Sequence, residues 1–427
     1  MGSKRVFALP VVCCALAGVV FAASSPGSIA VIREGDLWVQ DLGHGTSARL
    51  TNDGRNHSPK WSPTGEWLAF LKESQAWVIR ADRSAAAFLG DTGEWNSALE
   101  WSPDGKALAV ESSGIFRLES GAVWRKQEIA RVPGRVLWRP QGQDWVDGAM
   151  TIGNGLSLVP NAPGPLIPAA WIGNGKQILY WAAPEVSASI LADGLPLFTV
   201  NVEGGAARAT GAGTLLYNDF TAVAPGGEKV ALVGGGDREA WQDKHISIFS
   251  LATGALTRLT PDREVAVSPD WSPDGRRIAF VSSHDYGPEE SARSHRVITP
   301  NGTVRDVPPG ARAGVSFEQS QATLRGRRIW LMNPDGSGRV QLTNDAQYRD
   351  ERPLWSSDGT QILFARIDPS GAMSLWTIGA DRSLLRMVAE GLSAPKRALT
   401  PSQPQWTWLP WEYYGHIRWE QYFDGRR

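Results

Sequence analysis

Seven times along this chain a tryptophan, or a residue standing in for one, opens a tight turn that leads into an apolar run. The copies read WSPTGEWLAFL from Trp61, WSPDGKALAVE from Trp101, WRPQGQDWVDG from Trp138, WIGNGKQILYW from Trp171, VAPGGEKVALV from Val223, WSPDGRRIAFV from Trp271 and WSSDGTQILFA from Trp355. Recurrence this dense demands a repeat architecture, in which each unit buries its faces only against its neighbours. The chemistry of the unit is conformational. Proline at the second position of S-P-D-G presets φ for a turn, aspartate can bond nearby amides, and glycine takes the left-handed conformation that other residues resist. The turn joins two antiparallel strands. The second of them, as in RRIAFVS or GTQILFA, has the apolar, β-branched content of a strand covered on both faces.

Two more strands accompany most copies, in RIWLMNPDGSGRVQLT from Arg328, HISIFSLATGALTRLT from His245, LFTVNVEGGAARAT from Leu197 and, ahead of the first copy, DLWVQDLGHGTSARLT from Asp36. Four antiparallel strands per repeat describe propeller blades. Twenty tryptophans, 46 glycines and 28 prolines suit the same design, with short strands, Gly/Pro turns and large side chains wedged between sheets. The expectation is an all-β, single closed β-propeller over 28–410, with eight blades if the weak copies at Trp138 and Trp171 each count, and seven otherwise. Closure is expected from paired ends. The stretch from Ser28 supplies the last three strands of a blade, and Pro404-Gln405-Trp406 repeats the Pro-x-Trp lead-in of Trp61, Trp271 and Trp355, so 404–409 should supply the missing first strand. The long interval between Trp271 and Trp355 holds a polar insertion, 284–326, that suits either a flap or a disordered loop. Within it Asn301-Gly302-Thr303 fits a glycosylation acceptor only in a eukaryotic secretory route.

The W-S-P-D-G-x-x-I-A-F and I-W-x-M-N-x-D-G-S-G-x-x-x-L-T patterns resemble the TolB-type propeller repeat, a relative of the WD-repeat blade. A similar repeat builds the propeller domains of the prolyl oligopeptidase family. The resemblance implies a rigid ring used for binding and a soluble protein of the bacterial envelope. It carries over no catalytic residues, and the expected blade count exceeds the six of TolB.

Lys4 and Arg5 precede an apolar run from Val6 to Ala23 that ends in small residues, the pattern of a cleaved secretory signal over 1–23. A retained anchor is the alternative, although Pro10 interrupts the run; lipid attachment is a third. Cys13 and Cys14 both lie inside the run, so a mature chain cut near Ala23 has neither disulfide nor thiol nucleophile. With 43 basic against 44 acidic side chains and no basic cluster, nucleic acid is not an expected partner. A periplasmic or secreted location follows, without a membrane span in the mature chain.

Catalysis finds little support in the motifs. A prolyl oligopeptidase relative needs a G-x-S-x-G elbow and a hydrolase domain after its propeller, and neither is expected here. His44, His57, His245, His284, His295 and His416 lie singly, without H-x-H or H-E-x-x-H spacing, so no metal or cofactor is assigned, while a divalent cation in the channel stays open. The better-placed constellation precedes each tryptophan, where the innermost strands enter the channel. Arg55, Asn56, His57, Trp95, Asn96, Arg263, Glu264, Tyr348, Arg349, Asp350 and Glu351 are expected either to line a binding mouth for a peptide or sugar or to pair with one another as ordinary polar loop residues. The aromatic tail, 411–427, is expected to pack on the ring itself or to dock a partner through Trp411, Tyr413, Tyr414 and Trp419. The functional expectation is an exported, non-catalytic scaffold that binds a protein or peptide. The alternative is a metal-dependent polysaccharide lyase or hydrolase with its site at the channel mouth.

Overall fold

The computed structural model describes residues 27–92, 97–119, 122–126, 134–153, 155–160, 164, 166–182, 194–235, 241, 244–284, 322–393 and 416–425, and the backbone alone of 295–298 and 304–307. The described elements are almost all strands, and they group in chain order into antiparallel sheets. The second sheet runs Asn56–Trp61, Trp67–Lys72, Gln75–Arg80, Ala86–Asp91, and the third Leu99–Trp101, Ala107–Val110, Gly114–Leu118, Trp124–Lys126. A fourth has two strands only, Leu137–Trp138 and Trp145–Val146. The fifth comprises Leu166–Ile172, Gln177–Ala182, Leu195–Asn201 and Arg208–Thr214, and the sixth Thr221–Val223, Lys229–Gly234, His245–Ser250 and Leu256–Arg258. Glu264–Trp271, Ile278–His284, Arg328–Met332 and Val340–Gln341 form the seventh, and Arg349–Trp355, Gln361–Ile367, Met373–Gly379 and Arg386–Leu392 the eighth. Every repeat tryptophan, and Val223, ends the leading strand of its sheet except Trp171, which is one residue short of the end.

The first sheet joins the two ends of the chain. Ser28–Arg33, Asp36–Asp41 and Ser47–Arg49 pair in order, and their leading strand is Phe423–Gly425, with Ile29 opposite Gly425 and Val31 opposite Phe423. A C-terminal strand does pair with Ser28–Arg33, but it is 423–425 and not the expected 404–409, a segment outside the described residues. Position explains the substitution: Asp424 stands where Asp270 stands in the seventh sheet, one residue before the tryptophan site, and Gly425 takes the tryptophan's place. A single pairing, Arg33 with Leu392, also links this sheet to the eighth.

The turns show why the motif has its residues. In Ser102-Pro-Asp-Gly, Ser102 Oγ donates to Asp104 Oδ1 (2.6 Å) and accepts from the Ala107 amide (2.8 Å), while Asp104 accepts from the Lys106 amide (3.0 Å). The same three bonds recur at Ser272, Asp274, Arg276 and Arg277, and at Ser356, Asp358, Thr360 and Gln361. Glycine closes these turns at φ of 67, 68 and 69° at 105, 275 and 359, where a Cβ would be strained. The Leu-Thr ending has a matching role. The hydroxyls of Thr51, Thr260 and Thr343 accept the amides of Leu37, Ile246 and Ile329, at 2.8, 3.0 and 2.9 Å.

Apolar side chains meet between consecutive sheets, so the core is a series of seams. Ile32 and Leu37 pack with Trp61 and Phe70 between the first and second, and Trp67 and Leu71 with Trp101 and Leu108 between the second and third. Within the seams each tryptophan reaches back to the preceding sheet. The indole of Trp101 donates to the Lys60 carbonyl (3.1 Å), Trp138 to Glu100 (2.9 Å), Trp171 to Leu137 (2.9 Å) and Trp271 to Ala222 (3.0 Å). In each case the acceptor is the residue just before the tryptophan site. Where that residue is aspartate the bond changes hands: Asp424 accepts the Trp61 amide and Asp270 the Trp355 amide, both at 2.8 Å, and the indoles of Trp61 and Trp355 are left without a hydrogen-bond partner.

This division yields a graded expectation. Trp→Phe at 101, 138, 171 or 271 loses an indole bond and leaves a buried carbonyl, so it should cost about 1 kcal/mol more than Trp→Phe at 61 or 355. Urea unfolding of the six variants reads the difference; equal costs would show that the indole bonds contribute nothing beyond packing.

Candidate functional site at the convergence of the leading strands

The leading strands of the second, fifth, seventh and eighth sheets each carry a bulge, between His57 and Lys60, Pro168 and Ala170, Val267 and Asp270, and Glu351 and Leu354. Three of them place a residue with side chain in the left-handed region, Ser58, Ser268 and Arg352 at φ of 52, 53 and 53°. All three precede the proline of a Pro-x-Trp lead-in. A bulge re-aims the side chain it displaces, and holding a non-glycine residue at such φ costs free energy that the surrounding ladder must offset.

Two of these side chains face a cavity of about 580 Å³ where the strands converge. Ser58 and Lys60 come from the second sheet, Glu100 from the third, Asn218 from the approach to the sixth, Arg352 from the eighth, and Arg418 and Glu420 from the C-terminal segment. A further cavity of about 500 Å³ lies toward the turns of the sixth, seventh and eighth sheets and shares Asn218 and Arg352 with it. Much of the polar lining is already paired. Lys60 Nζ lies 2.6 Å and Arg135 Nη2 3.5 Å from Glu100, so burial raises the Glu100 carboxyl but the two cations outweigh it and hold it below the usual range. Asn218 donates to Glu420 (3.1 Å) and accepts from Arg135 (2.9 Å).

Above the cavity the C-terminal segment is bound through buried polar contacts. Glu351, 2% exposed, is shared by Arg327 and Arg349 through one oxygen and accepts the Trp419 indole on the other (2.9 Å). Burial pushes its carboxyl up, yet Arg349, Arg327 and His416 prevail and hold it down at about 2. His416 donates through Nε2 to Asp219 (3.0 Å), which also accepts from Ser268 (2.5 Å). Burial opposes ionisation of Asp219, but His416 and these bonds keep its carboxyl well below the usual range. The His416 ring is caged by Tyr217, Phe220 and Trp241, with centroids 4.1, 5.3 and 5.8 Å away.

The structure sorts the residues expected at the mouth. Asn56, His57, Arg349, Asp350 and Glu351 are buried. Asn56 bonds Gly35, Thr51 and Asp53, and His57 donates Nε2 to the Glu73 carbonyl (3.1 Å) and lies 3.0 Å from Ser58 Oγ through Nδ1. Asp350 takes a two-pronged pair from Arg366 (2.7 and 2.9 Å), whose guanidinium lies between Tyr348 and Trp376. Glu264 pairs with Arg339 and Ser282. Arg55, 3.7 Å from Glu73, and Arg263 are exposed. Trp95, Asn96, Trp411, Tyr413 and Tyr414 lie outside the described residues, and Trp419 is 1% exposed, packed on the chain itself. Sequence reasoning missed Lys60, Glu100, Arg135, Arg352 and Arg418. Lys60 and Arg352 had a usable signal in the Pro-x-Trp lead-in, and Glu100 in its place directly before Trp101. Among the described residues no three histidines, cysteines or carboxylates converge as metal ligands, and no helix is long and apolar enough to cross a membrane.

Comparison with known proteins adds a partial match. No family model matches the chain. It is 35% identical over 105 residues to the Tol-Pal system protein TolB of Anaeromyxobacter dehalogenans, covering 23% of each chain. The chain resembles the TolB-like propeller family. This match spans less than a quarter of the TolB sequence. A longer and weaker similarity, 21% identity over 333 residues, covers 71% of this chain and 48% of dipeptidyl-peptidase 5 of Porphyromonas gingivalis. Among solved structures, a putative TolB from Agrobacterium tumefaciens aligns with 86% of this chain and 91% of its own at a TM-score of 0.38 and 15% identity.

The buried acids make stability pH-dependent. A carboxyl depressed in the fold stabilises it fully above its unfolded pKa and ceases to do so as pH falls through the folded one. The contributions of Glu351 and Asp219 should therefore be complete above about pH 5 and fade toward pH 2. Urea midpoints from pH 7 to pH 2.5 should fall on the acid side and fall less steeply in Glu351→Gln; an identical acid limb would remove Glu351 from the account.

Proposed function

We propose that the protein is an exported, non-catalytic propeller scaffold of the bacterial envelope that binds a protein or peptide at the cavity where its leading strands converge. The observation that carries the reading is Arg352. It stands at a bulge at positive φ, faces both cavities, and is the eighth sheet's contribution to a lining drawn from many separate elements. Such a site suits a ligand with apolar and charged groups together, as a polypeptide has. The TolB-like repeat supports the reading, since the relatives that carry it are named as members of the Tol-Pal system. The basic, then apolar, then small-residue pattern of the first 23 residues supports export to the periplasm or beyond. A ring of eight blades, one of them reduced to two strands, is the arrangement we infer from the ordered sheets and the pairing of Ser28–Arg33 with Phe423–Gly425.

Affinity capture from cross-linked cells tests this, using the mature protein beside Arg352→Ala. Arg352 makes no direct hydrogen bond or ion pair within the described residues and acts on the buried Asp219 carboxylate only through space, so the variant should fold and melt close to the parent, which is checked first. A protein partner recovered with the parent and depleted at least several-fold with the variant is the expected result. Equal recovery would move the interface off the cavity. Recovery of no protein with either, together with turnover of a polysaccharide, would replace the scaffold by an enzyme.

A further inference from the structure

The bulge of the second sheet brings a hydroxyl, an imidazole and a backbone carbonyl into line. Ser58 stands at φ of 52°, and its side chain faces the cavity of about 580 Å³. Its Oγ lies 3.0 Å from Nδ1 of His57, whose ring is 1% exposed and whose Nε2 lies 3.1 Å from the Glu73 carbonyl oxygen. That carbonyl decides the tautomer. It can only accept, so Nε2 carries the proton, and in the neutral ring Nδ1 keeps a lone pair. Ser58 therefore donates its hydroxyl to His57. The orienting carbonyl is itself held, because the Glu73 amide donates to the Arg55 carbonyl (3.1 Å) at the turn between Trp67–Lys72 and Gln75–Arg80. Ser268 has the same bulge position in the seventh sheet, but it is buried and gives its hydroxyl to the Asp219 carboxylate, and Arg352 has that position in the eighth. The positive φ is thus common to the repeat, whereas the imidazole partner belongs to the second sheet.

We propose that Ser58 is a nucleophile, and that it takes up one acyl group per molecule from an activated ester or thioester. A hydroxyl that donates to a base held in turn by a third group is the arrangement that activates a serine. In the step, Oγ attacks the acyl carbon and its proton passes to His57 Nδ1. The bond from that carbon to the leaving oxygen or sulfur breaks, and the leaving group departs with the electron pair and the proton. The product is an ester on Ser58 beside a neutral ring. Ile167, Leu216 and Tyr217 give the acyl chain an apolar wall in the cavity. Uptake stops there. Hydrolysis would need a water at Nδ1, and with the ring 1% exposed the acyl group on Oγ stands between that nitrogen and the cavity. The reaction is a modification without turnover. It goes beyond the binding reading and does not rest on it, since its groups belong to the second sheet and do not include Arg352.

The test uses the full chain and two probes, p-nitrophenyl acetate and a fluorophosphonate, with the modified residue located by peptide mass spectrometry. The parent should release one equivalent of p-nitrophenolate in a burst and carry the label on Ser58, while Ser268 stays unlabelled. Ser58→Ala should lose both burst and label. His57→Gln should still label at Ser58 but slower by roughly a hundredfold or more, as the loss of a general base implies. Urea unfolding first compares both variants with the parent; if either fails to fold, the site of labelling in the parent still decides. A parent that carries no label on Ser58, its lysines alone being acetylated, would overturn the proposal, and so would an unchanged rate in folded His57→Gln. Release that runs past one equivalent and vanishes in Ser58→Ala would overturn the single uptake and the non-catalytic reading together. Failure to capture a partner from cells, by contrast, would count against the scaffold and leave Ser58 as assigned.

Discussion

A four-stranded sheet in this protein is not stable by itself, because its middle strands are apolar on both faces; everything depends on how one sheet grips the next. The grip is made where water is excluded. An indole N–H meets a backbone carbonyl from the preceding sheet, or an aspartate meets a backbone amide of the following one. Both devices bond a group left over by the ladder at the end of a leading strand, and both set the spacing of sheets to the length of one side chain. The six clasps differ in chemistry, yet they occupy equivalent positions. Tryptophan provides apolar area and a donor in one residue; aspartate divides the work, leaving its neighbour's indole to pack without a bond.

The polar interior answers a different demand. Residues 416–425 have to remain among the leading strands although the segment makes only a three-residue ladder with Ser28–Arg33. Charged and aromatic contacts do what the ladder cannot. Glu351 gathers two arginines and the Trp419 indole, and Asp219 gathers His416 and Ser268. Breaking one partner of such a buried set leaves the others uncompensated, so these residues specify where the segment sits more than they add net stability.

The repeat units were legible because their chemistry is local: the S-P-D-G turn and the apolar strand act within fifteen residues, and the opening residue of each unit from Trp61 to Trp355 lies at or next to the end of a leading strand. The Leu-Thr endings were visible as a pattern, but their hydroxyl-to-amide bonds were not. Closure was half legible. The need for a C-terminal strand followed from the incomplete first sheet, whereas 423–425 carries no tryptophan and no turn, so nothing in its residues marks it. Asn56, His57 and Glu351 were expected at the mouth but are buried and bond inward, because polar residues before a strand look alike whether they face a cavity or pair inside. Lys60 and Glu100 come from two sheets and Arg135 from the lead-in to a third, and only the assembled seams bring them together.

Pairing Ile29 with Gly425 has a consequence for the order of events in folding. Contacts this distant in sequence carry the greatest chain-closure cost and form late. Until Phe423–Gly425 has been synthesised, the first sheet presents an unpaired apolar edge on Ser28–Arg33, a template for strand addition by another molecule. A truncation that removed 423–425 would therefore leave that edge open for strand addition, an aggregation hazard out of proportion to the three residues lost.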